Sequence, residues 1–313
     1  MKKKKKIPLV IINAPTATGK TGLAIHLASQ CGGEIISADS LQVYRYLDIG
    51  TAKPTIEQRK EIKHHLIDIL NPDEEYNTAL FTQQARAIIA KLAAKKKPVF
   101  VVGGTGLYIR TLLKGIIETP DVDEKIRNYY RELRDTKGKP FIYELLKDKD
   151  PAAAAQINPN DSVRVIRALE VLEQTGESIT IKQKSHSFSD CPYTTYKIGI
   201  KVDRDELKRR IEVRTEKMID AGLLEEVETV LDMGYNETLK PLQSLGYKQM
   251  IAFLGRKCGW DEAIDSIKRD TWQYAKRQMT WFKADKEINW FDRDSEKEIT
   301  KNMKKFWKEN SLP

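Results

Sequence analysis

The sequence predicts an α/β fold: a parallel sheet flanked by helices and interrupted by an inserted helical domain. Three observations predict it. Short apolar runs at 8–12, 34–37 and 98–102 alternate with segments of helical periodicity, the signature of β-α-β units. Each run ends in a polar or glycine-rich cluster, and ligands of parallel sheets gather at the carboxyl ends of the strands. From about residue 116 to 195 the strand signal stops and the chain reads as helical and charged. These breaks divide the chain into a first core segment, 1–115, an inserted domain, 116–195, and a second core segment with C-terminal helices, 196–313.

The first strand, Pro8–Ile12, runs into Ala14, Pro15, Thr16, Ala17, Thr18, Gly19, Lys20 and Thr21, and a helical pattern follows from Leu23. Strand, turn and helix in that order aim successive backbone N–H groups and a helix N-terminus at one point. That is a phosphate cradle, with Lys20 as a point charge and the Thr21 hydroxyl suited to Mg²⁺. It makes the core P-loop NTPase-like. Ala14 stands where the first glycine of the pattern is expected, so an ordinary β-α turn with a surface lysine is the alternative.

Glu34–Ser37 reads as a buried strand ending in Ala38, Asp39 and Ser40, and Leu66–Leu70 as another short strand. Asn77 or Thr78 is placed to cap a helix carrying Phe81, Ala85, Ile88, Ile89 and Leu92 on one face. Pro98–Val102 empties into the glycine-rich turn Gly103–Tyr108. Within the insertion, Glu124–Leu133, Phe141–Leu146 and Val163–Leu172 read as helices. Lys197–Val202 returns to the sheet, and a long helix spans Asp203–Ile219 with Asp203 and Asp205 as candidate N-caps.

The 313 residues suffice for one large α/β domain with an insertion or for two domains. Net charge is +9, of which Lys2–Lys6 supply five, leaving a mildly basic body that suits an anionic partner such as RNA or a pyrophosphate. The lysine run reads as a solvated arm; the apolar run behind it is short and ends in the phosphate loop, which argues against a signal peptide. No stretch approaches the length of a membrane span, so no membrane partner is expected. Cys31, Cys191 and Cys258 are scattered without metal-like pairing, as suits a reducing, cytoplasmic setting. His64 and His65 are adjacent and point to opposite sides of any strand, which disfavours a metal pair.

Several side chains carry chemistry, each with a plainer alternative. Asp39, at a strand end, is open to two roles: an Mg²⁺ ligand or a general base beside the phosphates. The alternative is an Asp that caps the next helix. The Thr105 hydroxyl sits in the glycine-rich turn, where it and loop N–H groups can meet a ligand oxygen; otherwise the glycines simply permit a tight turn. Arg214 shares a helix face with Leu207, Ile211 and Met218, so it either snorkels outward or answers a buried anion. Arg164 and Arg167, one turn apart, could grip RNA phosphates or lie on a solvated face. Trp272–Phe282 mixes aromatics with Lys276 and Arg277, an RNA-contacting patch or a core-packing helix.

Taken together, these segments closely resemble the bacterial tRNA dimethylallyltransferases, which prenylate adenosine 37 beside the anticodon. The likeness runs from about residue 8 to about 292. It rests on the phosphate loop and on Ile36–Arg45, Asp48–Pro54, His64–Asp68, Gly103–Tyr108, Asn158–Asp161, Arg167–Val171, Ser244–Lys248 and Tyr274–Gln278. The resemblance implies that Asp39 is the general base on the adenine N6 amine. It places Thr105 and Arg214 near the pyrophosphate, which Lys20 and the loop N–H groups hold. It also implies tRNA contacts at Asp39, Ser40, Leu41, Gln42, Thr105, Arg127, Val163, Arg164, Val165, Ile166 and Arg167. The implied partners are the anticodon stem-loop of tRNA and dimethylallyl diphosphate, with Mg²⁺ as cofactor; a monomer is expected.

Two departures stand out. Ala14 replaces the family's usual first glycine, so the loop must hold an angle there that alanine adopts. The paired Cys and His of the zinc-finger tail of eukaryotic relatives are absent, so anticodon-arm binding is expected to rest on the core, the inserted helices and the basic C-terminal region. Three rival activities share parts of the pattern: a small-molecule P-loop kinase, an adenylate isopentenyltransferase acting on free AMP, and a non-catalytic RNA-binding module.

Overall fold

A computed structural model describes residues 6–116, 120–185 and 191–310. The chain divides into two compact units, Met1–Leu113 with Cys191–Pro313, and Lys114–Asp190. In the first unit the elements run β1 (Ile7–Asn13), α1 (Lys20–Ser29), β2 (Glu34–Ser37), α2 (Ile56–Glu61), β3 (His64–His65), α3 (Thr78–Ala94), β4 (Val99–Gly103) and α4 (Gly106–Lys114). The second unit contains α5 (Glu124–Lys137), α6 (Lys139–Lys149), α7 (Pro151–Ala154), α8 (Ser162–Thr175) and α9 (Ile179–Ser185). The chain then completes the first unit with β5 (Tyr193–Ile200), α10 (Arg204–Asp220), α11 (Leu223–Asp232), α12 (Tyr247–Leu254), α13 (Trp260–Lys283), β6 (Ile288–Phe291) and α14 (Glu296–Glu309).

The six strands form one sheet in the order β3-β2-β4-β1-β5-β6, and every pairing is parallel. Strand β1 shows why both faces are covered. Leu9 and Ile11 enter one core with Phe81, Ile89, Leu112 and Val227, while Val10 and Ile12 enter another with Leu27, Phe100 and Trp307. Alternate side chains point to opposite faces, so a strand apolar at every position must be buried twice. With β1 between β4 and β5, the turns after β1, β2 and β4 lie together at the carboxyl edge of the sheet.

The predicted strand at Leu66–Leu70 is displaced. The pairing residues are His64 and His65, set against Ile35 and Ile36. Beyond them Leu66 and Asp68 take positive φ angles of 62° and 54°, which no strand tolerates, and only Leu70 bridges back to Tyr44. The Asp68 carboxylate is drawn aside by ion pairs to Lys53 and Arg59. The returning strand begins at Tyr193, ahead of the residue 196 boundary and the predicted Lys197 start. Asn77 caps α3 by accepting from Ala79 and Leu80, and Asp203 caps α10 by accepting from Asp205 and Glu206.

The helical unit has its own core, in which Tyr130, Ile142, Leu146, Val165, Ile166 and Leu169 are buried. Lys2–Lys5 of the basic arm lie outside the described residues. No helix among the described residues is long and apolar enough to cross a membrane.

Candidate active site

The phosphate loop leaves β1 and turns into α1 through two left-handed residues, Ala17 (φ 63°) and Gly19 (φ 89°). Ala14 is fully buried and is not among the positive-φ residues, so replacing glycine there introduces no backbone strain. The loop is braced from within by Thr18, whose hydroxyl donates to the Pro15 carbonyl at 2.8 Å. It is braced from outside by Gln278 of α13, which accepts from the Thr16 N–H and donates to the Gly104 carbonyl, each at 2.9 Å. One side chain therefore joins the turns after β1 and β4.

Glycines set the spacing of those turns. A Cβ on Gly103 would stand 2.1 Å from the Ala38 carbonyl oxygen, and one on Gly104 2.2 Å from the Gln278 amide. Ala38 donates to Val102 and its carbonyl accepts from Thr105 N–H, so the β2 and β4 ends are locked together. This brings Asp39 and Thr105 to one place. The Tyr274 hydroxyl approaches both Thr105 and Gln278, and its pKa is pushed up to about 12 by burial and by the charge of Asp39.

No helix follows Asp39, so the helix-capping alternative is set aside. Its Oδ1 instead accepts from the N–H groups of Leu41 (2.9 Å) and Gln42 (3.4 Å), an Asx turn that orients the carboxylate. Its other oxygen makes no hydrogen bond within the described residues, so it remains available to a ligand. Gln42 faces inward, accepting from the Ser37 hydroxyl at 2.9 Å.

Lys20, Thr21, Asp39, Ser40, Leu41, Gln42 and Arg214 line one cavity of about 390 Å³. Its walls also include Tyr44, Tyr76, Tyr108, Tyr274 and Gln278, with Lys240, Lys248 and Arg277. Neither Lys20 nor Arg214 has a hydrogen-bond or ion-pair partner among the described residues. Burial brings the Lys20 pKa down to about 8, with the Arg214 charge adding to the fall and Asp39 opposing it. Burial also lowers Arg214, again against Asp39. Two desolvated, unpaired cations beside backbone donors form a site that an anion completes. Arg214 is half-buried beside the buried Ile211 and Thr215 and lines the cavity, a placement that suits an anion-binding side chain. On the far side of Arg214 a second cavity of about 660 Å³ is lined by Ala17, Gly19, Arg59, Arg209, Arg210, Lys217 and Arg293.

The loop beside these cavities, 48–54, is held by residues that sequence reasoning missed. The Glu226 carboxylate accepts from the N–H groups of Asp48 and Ile49 at 2.8 Å each and Gly50 at 3.2 Å, and from the Tyr247 hydroxyl at 2.6 Å. Buried Lys53 donates to the Tyr44 carbonyl and pairs with Asp48 and Asp68. Nothing local marks Glu226, one of three glutamates on α11, for this task. Gln278 lay within a noted motif but carried no signal of its bridging role.

In the helical unit the expected RNA contacts separate into two groups. Val163 is 76% exposed, and Arg164 is exposed and paired with Asp161 at 3.2 Å. Val165 and Ile166, on the other face of the same helix, are buried in that unit's core. Arg127 and Arg167 both bind Glu170, at 3.0 and 2.6 Å, and Glu170 is fully buried. They neutralise an internal carboxylate with part of their donor set.

The adjacent histidines are structural. The His64 ring meets the Ile62 carbonyl and the His65 ring meets Glu34, each at 2.7 Å. The three cysteines are free, and the described residues contain no group of three or more His, Cys, Asp or Glu able to hold a metal ion.

The family model for IPP transferases matches residues 42–285. A protein named tRNA dimethylallyltransferase 2 from Syntrophus aciditrophicus is 52% identical over 95% of this chain and 96% of its own length. The crystal structure of a full-length tRNA isopentenylpyrophosphate transferase from Bacillus halodurans superposes with a TM-score of 0.72 at 37% identity, covering 98% of each chain. A eukaryotic dimethylallyltransferase crystallised acting on tRNA gives a TM-score of 0.76 at 26% identity, over 92% of this chain and 74% of that one.

Proposed function

The chain belongs to the IPP transferase family, and from that premise we propose that it transfers a dimethylallyl group from dimethylallyl diphosphate to N6 of adenosine 37 in tRNA. It acts as a cytoplasmic monomer in this reading. The observation that carries it is the cavity itself, where two unpartnered cations, Lys20 and Arg214, face one carboxylate with a free oxygen, Asp39. One end suits a diphosphate and the other an amine.

In the reaction the N6 nitrogen bonds to the allylic carbon while that carbon's bond to the diphosphate oxygen breaks. The N6 proton passes to Asp39, and the bonding electrons leave with the diphosphate. Adenine N6 is a poor nucleophile because its lone pair is delocalised into the ring, so removing its proton as the bond forms raises its reactivity. A positioned base contributes about 10²–10⁴-fold. At the other end the leaving group gains charge, and Lys20, Arg214 and the loop N–H groups stabilise that charge more than the ground state. The loop N–H groups are oriented before substrate arrives, by Gln278 and by the buried turns. Thr105 does not itself line the cavity; it bonds the Tyr274 hydroxyl, which does, and its part at the diphosphate is assigned through that contact.

The site fits Mg²⁺ in the manner of a phosphate loop. The Thr21 hydroxyl has no hydrogen-bond partner among the described residues and lines the cavity, and a diphosphate and water would complete an oxygen shell. When bound, the ion supplies charge neutralisation for the diphosphate. The tRNA surface is assigned to Asp39, Ser40, Leu41 and Thr105 in the α/β unit and to Val163 and Arg164 in the helical unit. Gln42, Arg127, Val165, Ile166 and Arg167 serve mainly to position them.

The test is incubation with radiolabelled dimethylallyl diphosphate, Mg²⁺ and unmodified tRNA, followed by nucleoside analysis. Label in N6-prenyladenosine at position 37 is the expected result. Label in free AMP, turnover of ATP alone, or tRNA binding without any turnover would replace this reading with the corresponding rival.

A further inference from the structure

Tyr108 stands at the start of α4, three residues after Thr105. Its ring stacks on Phe81 with centroids 4.4 Å apart and meets Tyr76 edge-on at 6.2 Å. The residue is only 5% exposed, yet it lines the cavity that holds Lys20, Asp39 and Arg214. Its hydroxyl has no hydrogen-bond partner among the described residues. Several other phenols are satisfied, Tyr76 donating to Gln84, Tyr143 to the Ala154 carbonyl and Tyr247 to Glu226; the buried Tyr196 hydroxyl also lacks a partner among the described residues, but it does not line this cavity. Phenylalanine would fill the Tyr108 stack without leaving a polar atom unserved, so the hydroxyl has no structural reason to be there.

The surroundings indicate what it would serve. Burial raises the Tyr108 pKa, as do Tyr76, Tyr44 and the charge of Asp39, so the group stays a neutral phenol and keeps its proton to donate. The diphosphate end of the cavity already has Lys20, Arg214 and Thr21. Asp39 offers a carboxylate, which accepts, and Tyr108 lies close enough to feel its charge while offering a neutral donor to the same cavity. An adenine amino group is flanked by ring nitrogens that only accept, and a buried acceptor left without a donor is costly.

We propose that the Tyr108 hydroxyl donates a hydrogen bond to a ring nitrogen beside the amino group of the target adenine while Asp39 accepts from the amine. The inference rests on the prenyltransferase reading above and deepens it by naming a base-reading residue. Paired as neighbouring donor and acceptor, the two groups match adenine. Guanine presents a carbonyl oxygen where adenine has its amine, and Asp39 repels it.

The test uses Tyr108→Phe in the full chain, with tRNAs carrying adenosine, 1-deazaadenosine or 7-deazaadenosine at position 37. Because the hydroxyl has no protein partner, thermal stability should be unchanged. We expect kcat/KM for tRNA to fall about tenfold, the equivalent of about 1.4 kcal/mol, with KM for dimethylallyl diphosphate unaltered. One of the two deaza substrates should reproduce that loss in the wild type and add nothing to it in Tyr108→Phe. A variant within twofold of the wild type overturns the proposal. So does a loss confined to diphosphate KM, or losses that multiply with both deaza substrates. If the wild-type protein leaves tRNA unlabelled, the prenyltransferase reading has failed and takes this proposal with it; labelled tRNA with an unaffected variant removes Tyr108 alone.

Discussion

The Gln278 side chain accepts a 2.9 Å hydrogen bond from the Thr16 backbone N–H, 262 residues earlier in the chain. With its amide donated to Gly104, it makes the late helix α13 a strut for the phosphate loop. Replacing it with leucine strands two buried backbone groups, at about 1–3 kcal/mol each. Gln278→Leu should therefore lower the melting temperature and raise KM for dimethylallyl diphosphate about tenfold or more. Unchanged diphosphate KM in a folded variant would show that the loop holds its shape unaided.

Lys20 gives the free enzyme a pH signature. Its pKa near 8 means that the ammonium is present below that pH and lost above it. An anion beside it favours the charged form, so diphosphate binding should draw the pKa back up. The expected profile of kcat/KM for the diphosphate falls above about pH 8, while kcat at saturation holds to higher pH. Lys20→Ala should abolish that limb and reduce turnover by about 10²–10³-fold, as for the loss of one preorganised donor.

Asp39→Ala removes the proposed base together with the Asx turn that orients it. Turnover should fall at least about a hundredfold, with tRNA affinity nearly unchanged in a filter-binding assay. Asp39→Asn retains the turn acceptor and should show the same kinetic loss. A rate preserved in either variant removes Asp39 from the base role.

Glu226→Ala tests the tether of loop 48–54. Three backbone N–H groups and the Tyr247 hydroxyl lose their acceptor, and bonds to a charged group are worth about 1.5–3 kcal/mol. Calorimetry should register a drop of that order, and limited proteolysis should find new cleavage between residues 48 and 54.

The helical unit predicts a contrast. Arg164→Ala should weaken tRNA binding a few-fold and lower the slope of log affinity against log salt by about one, the mark of one lost phosphate contact. Arg167→Ala leaves buried Glu170 paired with Arg127. It should lower thermal stability by more than its effect on the salt slope suggests.

Much of the site was legible because its signals are local. The turn from β1 into α1, the polar ends of β2 and β4, and Arg214 on an apolar stripe each follow from spacing within a few residues. Other features depend on partners outside the local segment. Leu66–Leu70 carries strand composition, but ion pairs from Lys53 and Arg59 to Asp68 hold it in turns. Val165 and Ile166 lie within a contact motif, yet their side chains fill the helical core.

The parallel α/β core, and the polar clusters at its strand ends, follow from local patterns in the sequence. Periodicity and turn chemistry act over one or two elements, and those interactions suffice to set them. Packing of distant segments is what makes Gln278 brace the phosphate loop, sets Glu226 against loop 48–54, and leaves the Tyr108 hydroxyl without a hydrogen-bond partner among the described residues. Those facts depend on contacts between segments far apart in the chain. Their geometry emerges only when the packed core has excluded water and each remaining polar group must find a partner or a ligand.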